Sequence, residues 1–133
     1  MAVLVDSNVL LDVLTEDSHW FDWSASALER TAERAALVVN AIVYAEISVR
    51  FSRIEDLENA LPRDMLAREN IPYEAAFLAA KVHLRYRARG GSRNTPLPDF
   101  FIGAHAAIAG HRILTRDRGR YATYFPAVPL IAP

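Results

Sequence analysis

Four carboxylates sit where an α/β sheet could bring them together: Asp6, Glu46, Asp99 and Asp117. Asp6 ends the apolar run Val3-Leu4-Val5, and Ser7-Asn8 follow before helical spacing begins. A strand that hands an acid to the start of a helix places it at the carboxyl edge of the sheet, where open α/β sheets bind ligands. The alternative for Asp6 is a helix N-cap. Glu46 shares a helical stripe with Ile42 and Val49. An acid there is costly unless it is paired or bound to a metal, and Arg50 is the obvious partner. Asp99 opens a helical run, where the dipole alone would favour it. Its stripe nevertheless continues through Ile102, Gly103 and Ala106, towards the protein. Asp117 follows Ile113-Leu114-Thr115-Arg116 and could equally be a turn or capping residue.

Taken together the four say more than they do singly. After Glu74 the chain has only two acids, Asp99 and Asp117, both at element junctions amid basic residues. Residues just after parallel strands, and at the starts of the helices that follow, converge on one edge. Three or four acids there would repel one another unless cations intervene. Mg²⁺ and Mn²⁺ take oxygen ligands, and two such ions can clamp a phosphodiester.

The elements that must position these acids alternate along the chain. Strands are expected at Ala2–Val5, Leu37–Val39, Ile113–Leu114 and Pro129–Ile131, and Met65–Ile71 is ambiguous between helix and strand. Helices are expected at Ser7–Leu14, His19–Ala35 with Ser18 as cap, Ala41–Phe51 after Asn40, Ile54–Leu61, Tyr73–Ala88, Asp99–Ala109 and Arg118–Ala122. Gly90-Gly91-Ser92 opens a loop containing Pro96 and Pro98. Such alternation implies a parallel sheet covered on both faces.

Length and composition bound the rest. A chain of 133 residues with 52% hydrophobic and 23% charged residues reads as one globular domain. The absence of cysteine excludes a disulfide framework and any thiolate chemistry. Met1–Val5 has no basic leader, so no signal peptide is expected and a cytoplasmic location is. Charge is unevenly spread. Residues 1–74 hold 14 of the 16 acids and residues 75–133 hold 9 of the 15 basic side chains. Either the second half faces a polyanion or the two halves pair with each other.

The ordered set Asp6-Ser7-Asn8, Glu46, Pro98-Asp99 and Thr115-Arg116-Asp117 resembles the acidic signature of the PIN domain. The stretch Leu97–Ala106 with Leu114-Thr115-Arg116-Asp117 is similar to the VapC ribonuclease toxins of type II toxin–antitoxin pairs. The resemblance implies a three-layer α/β/α sandwich around a parallel sheet of about five strands. It also implies Mg²⁺- or Mn²⁺-dependent RNA cleavage. Asp6, Glu46, Asp99 and Asp117 match the family's metal-site acids, with Asp117 at the position that varies. Ser7, Asn8 and Thr115 match the supporting polar residues. It further implies a homodimer and a VapB-type antitoxin partner.

On this reading Asp6, Glu46 and Asp99 hold one metal, and Asp117 helps to place a second metal or the attacking water. Arg116 and Arg118 are the expected RNA contacts, with Arg85–Arg93 a second basic run. His83 and His105 are expected to be packing residues without a metal role. Tyr121, Tyr124 and Phe125 suit either base stacking or a packing cluster. Two rivals remain: a phosphohydrolase using Asp6 as nucleophile, for which Lys81 is the sole lysine, and a PIN-like binding module without turnover.

Overall fold

Twelve short elements build the described part of the chain. They are β1 (Val3–Val5), α1 (Ser7–Leu14), α2 (Phe21–Ala32), β2 (Leu37–Val39), α3 (Ala41–Ser48), α4 (Ile54–Ala60), β3 (Leu66–Arg68), α5 (Tyr73–Ala88), α6 (Leu97–Ala109), β4 (Arg112–Leu114), α7 (Gly119–Tyr124) and β5 (Leu130–Ile131). The computed structural model describes residues 1–91 and 97–133, with the backbone alone at Arg120. Most of the expected proline-containing loop, and Arg93 of the second basic run, lie outside the described residues.

The strands pair in parallel in the order β3-β2-β1-β4-β5. β1 is central, and its three residues are fully buried, as a strand covered on both faces must be. The fold is an α/β/α sandwich. Chain order runs outward from β1 in one direction through β2 and β3, then restarts on the other side with β4. The crevice at the carboxyl ends of β1 and β4 is therefore the topological switch point. Asp6 leaves β1 there and Thr115 leaves β4, joined by the Asp6 amide donating to the Leu114 carbonyl at 2.9 Å.

Local chemistry sets the boundaries. Asn40 caps α3 by accepting the Val43 amide at 3.0 Å. Ser18 does not cap α2. Asp17 accepts the His19 and Trp20 amides at 2.9 Å each, so the helix begins at Phe21. The ambiguous Met65–Ile71 stretch supplies edge strand β3. Arg68 then turns back to the Leu61 and Leu66 carbonyls and to Glu58. Hydrogen bonds from Tyr44, Arg63 and Arg68 hold the Glu58 carboxyl down to about 2. α5 stops at Gly90, whose φ of +85° is the left-handed conformation a glycine adopts without cost.

α6 carries Asp99, and its seating depends on Gly103. A Cβ at Gly103 would run into the ring of Phe125, itself buried against Phe100. Gly103→Ala should therefore destabilise the fold by about 1–3 kcal/mol, the usual cost of overpacking. Urea denaturation measures this, and an unchanged midpoint would contradict the packing described.

Candidate metal centre

Asp6 is only 5% exposed, yet three elements point donors at it. Its Oδ1 accepts the Ser7 amide at 2.8 Å, so it does cap α1. Its Oδ2 accepts the Thr115 hydroxyl at 2.9 Å and the Tyr121 phenol at 3.0 Å. Cap and site residue are thus compatible roles for one side chain. Burial pushes the Asp6 carboxyl above its ordinary value and the charge of Asp99 adds to the push, against the three hydrogen bonds.

Glu46 faces the same place. Its Oε1 accepts the Ser7 hydroxyl at 3.0 Å, and no ion pair with Arg50 forms. Burial raises its carboxyl too, and the charges of Asp6 and Asp99 contribute. The same three acids bear on Tyr121, whose phenol is pushed well above its ordinary value, first by burial. Asp6, Glu46 and Asp99 therefore form one electrostatic group. Among the described residues, neither Asp6 nor Glu46 has an ion-pair partner.

Asp117 stands at the rim. It is exposed, and its Oδ1 accepts the Gly119 amide at 2.9 Å, which is the turn role considered for it. Asn8 and Thr115 lie beside Asp6. Asn8 Nδ2 meets Thr115 Oγ1 at 3.4 Å, and Thr115 in turn reaches Asp6.

Arg116 departs from expectation. Rather than standing free for a phosphate, its Nε donates to Asp12 Oδ2 at 2.8 Å and its Nη2 to Oδ1 at 3.0 Å. Arg118 is exposed, with Nε 3.4 Å from the Pro133 carbonyl. Tyr124 and Phe125 pack on Phe100, so of the two alternatives for them the packing cluster is the one formed. Tyr121 is neither a stacking platform nor mere packing. Nothing in its sequence position signals a donor to Asp6, because the contact depends on how α7 folds back over β1.

A second cluster went unforeseen. His105 Nε2 and His111 Nε2 lie 2.9 and 2.6 Å from Glu69 Oε1, and one ligand atom from each residue falls within 4.8 Å of the others. Its surroundings favour hydrogen bonds over a cation. Asn40 Oδ1 accepts the Val43 amide, which leaves its Nδ2 amide facing His105 Nδ1 at 3.1 Å. His105 Nδ1 must then accept, so its proton sits on Nε2 and points at Glu69. His111 Nδ1 is buried and has no hydrogen-bond partner among the described residues. Metal-ligating histidines instead donate their second nitrogen to an acceptor. His105 is buried, and its partners are Glu69 and Asn40.

A parallel sandwich with a carboxylate cluster at its switch point places those acids where open α/β sheets bind ligands. Residues 3–126 match the PIN domain, and the chain belongs to that family. Its fold is similar to that of VapBC2 from Rickettsia felis bound to a promoter DNA fragment (TM-score 0.77, 16% identity, covering 100% of this chain and 99% of that one). It is also similar to VapBC-1 from nontypeable Haemophilus influenzae (0.75, 13%, 99% and 98%). FitAcB from Neisseria gonorrhoeae is a third such neighbour (0.73, 17%, 97% and 96%). No curated protein matches the sequence. No helix among the described residues is long and apolar enough to cross a membrane.

Two substitutions test the electrostatics of the cluster. Tyr121→Phe keeps the ring and deletes the donor to Asp6, so it should destabilise the protein by about 1–2 kcal/mol in denaturant titrations. Glu46→Gln should act in the opposite direction in metal-free protein. A carboxyl raised by folding contributes stability below its unfolded value of 4.5 and loses it as pH rises through the folded one. At pH 7 Glu46 is therefore a net cost. The variant should melt on the order of a few degrees higher there, with the gain shrinking as pH falls towards 4.5. A lower melting temperature at pH 7 would contradict the charge repulsion.

Proposed function

We propose that this chain is a Mg²⁺- or Mn²⁺-dependent endoribonuclease acting as the toxin of a type II toxin–antitoxin pair. The observation that carries the reading is the group of Asp6, Glu46 and Asp99, in which the carboxyls of buried Asp6 and half-buried Glu46 are both raised by desolvation and by neighbouring negative charge. An all-oxygen donor set of this charge fits a hard divalent cation. Asp6, Glu46 and Asp99 would hold it, with Asp117 a rim acid that orients water or a second ion. The ion, when bound, would lower the pKa of water and stabilise charge on the phosphate.

The chain's own side chains do the positioning. Ser7 fixes Glu46 through Oε1, and the second oxygen, Oε2, makes no hydrogen bond among the described residues. Thr115 and Tyr121 hold Asp6 through Oδ2. No lysine stands at the site, because Lys81 lies on α5 over the Phe77 ring at 4.9 Å. That weighs against an aspartyl-phosphate mechanism, which needs a fixed cation to offset the phosphate charge.

Arg118 on the rim, and Arg85, Arg87 and Arg89 at the end of α5, are exposed and have no acidic partner among the described residues. They suit an RNA backbone. A VapB-type antitoxin is the proposed partner, on the strength of the VapBC neighbours. An apolar groove of about 450 Å³, lined by Leu10, Val13, Leu28 and Leu66 among others, is a suitable seat for it.

Asp99→Asn should lower RNA cleavage by at least about 10²-fold while the fold persists. End-mapping of cleaved RNA should show 5′-phosphate and 3′-hydroxyl termini, because water attacks. Full activity in Asp99→Asn, or 2′,3′-cyclic phosphate ends, would contradict the proposal.

A further inference from the structure

Asp12 is a carboxylate only 3% exposed, on the inward side of α1, and the proposed chemistry has no use for it. A buried acid of this kind is costly unless it is fully partnered. Its partners are the Ser24 hydroxyl on α2, at 2.8 Å, and the guanidinium of Arg116, gripped through two parallel hydrogen bonds. Trp20 lies against the same guanidinium, its ring centroid 5.3 Å from Cζ. One helical turn before Asp12, Asn8 accepts the Arg116 backbone amide at 3.2 Å and contacts the Thr115 hydroxyl. Asn8 and Asp12 of α1 and Trp20 of the turn before α2 thus converge on the segment that follows β4, with Ser24 of α2 behind Asp12.

That segment is Thr115-Arg116-Asp117. Its first residue donates to Asp6 and its last is the rim acid. β4 is only three residues long, and the segment beyond it has no sheet partner to fix it, apart from the Thr115 amide on the Ile131 carbonyl at 3.0 Å. We propose that Arg116 is a positioning residue. By closing on Asp12 it holds the Thr115 hydroxyl on Asp6 and sets Asp117 at the mouth of the acid cluster. This rests on reading Asp6, Glu46 and Asp99 as the site. It replaces an RNA-contact role for Arg116, whose Nε and Nη2 are already engaged with Asp12.

The test compares Arg116→Gln, Arg116→Lys, Asp12→Asn and the Arg116→Gln/Asp12→Asn double variant, with Asp99→Asn as a control on the site itself. Steady-state cleavage of a single-stranded RNA and calorimetric Mn²⁺ titration without RNA supply the readouts. Arg116→Gln should lower kcat by about 10²-fold, the scale of a roughly 1 Å misplacement, with KM nearly unchanged. It should also weaken Mn²⁺ binding. Asp12→Asn should do the same, and the double variant should be no worse than either, because one clamp is lost once.

Arg116→Lys keeps the charge but not the two-pronged grip, and should recover part of kcat and of Mn²⁺ affinity. That recovery also separates positioning from a failure of Arg116→Gln to fold. A raised KM with kcat intact and a flatter salt dependence would overturn the proposal in favour of an RNA contact. Additive losses in the double variant would overturn it as well. An active Asp99→Asn would refute the site reading itself. An inactive Asp99→Asn beside a fully active Arg116→Gln would refute the clamp alone.

Discussion

The rest of the structure is arranged around a carboxylate that folding places where carboxylates are costly. Asp6 ends the central strand of a parallel sheet, almost wholly out of water. It stays there because Ser7 of α1, Thr115 after β4 and Tyr121 of α7 each give it a hydrogen bond. Those bonds do not neutralise it. Glu46 and Asp99 add charge to the same region, and among the described residues no cationic side chain pairs with Asp6 or Glu46. Structures retain such local cost at sites where a ligand relieves it.

The supporting shell explains why distant parts of the chain are interdependent. The acids come from positions 6, 46 and 99, and their holders from 7, 115 and 121. The second tier reaches further, through Asn8 and Asp12 to Arg116 and on to Trp20 and Ser24. The Asp12–Arg116 pair also joins an acid of the first half of the chain to a base of the second. The uneven charge distribution is thus answered in part by internal pairing, while Arg85, Arg87, Arg89 and Arg118 remain exposed.

Much of this was legible before folding. The apolar triplets Val3-Leu4-Val5 and Leu37-Val38-Val39 read as buried strands because nothing polar interrupts them, and Asn40 announced its cap by type and position. The convergence of Asp6, Glu46 and Asp99 followed from parallel-sheet topology together with the family resemblance. What stayed hidden were side chains whose role depends on a tertiary neighbour. Tyr121 and the Glu69–His105–His111 cluster meet their partners across 115, 36 and 42 residues, and no local pattern encodes such meetings. The ion pair of Arg116 with Asp12 was hidden for the same reason. An arginine beside a catalytic-looking acid suits phosphate, and only the fold reveals Asp12 beneath it. The turn that Asp17 holds before α2 was missed because adjacent Ser18 is an equally good capping type.

The most direct measurement of the central claim is the anomalous scattering of manganese in a crystal of the protein soaked with Mn²⁺. The account predicts a peak within coordination distance, about 2.5 Å or less, of carboxylate oxygens from Asp6, Glu46 and Asp99. It also predicts that the peak disappears in Asp6→Asn. Manganese bound at Glu69, His105 and His111, with the three acids left bare, would contradict it.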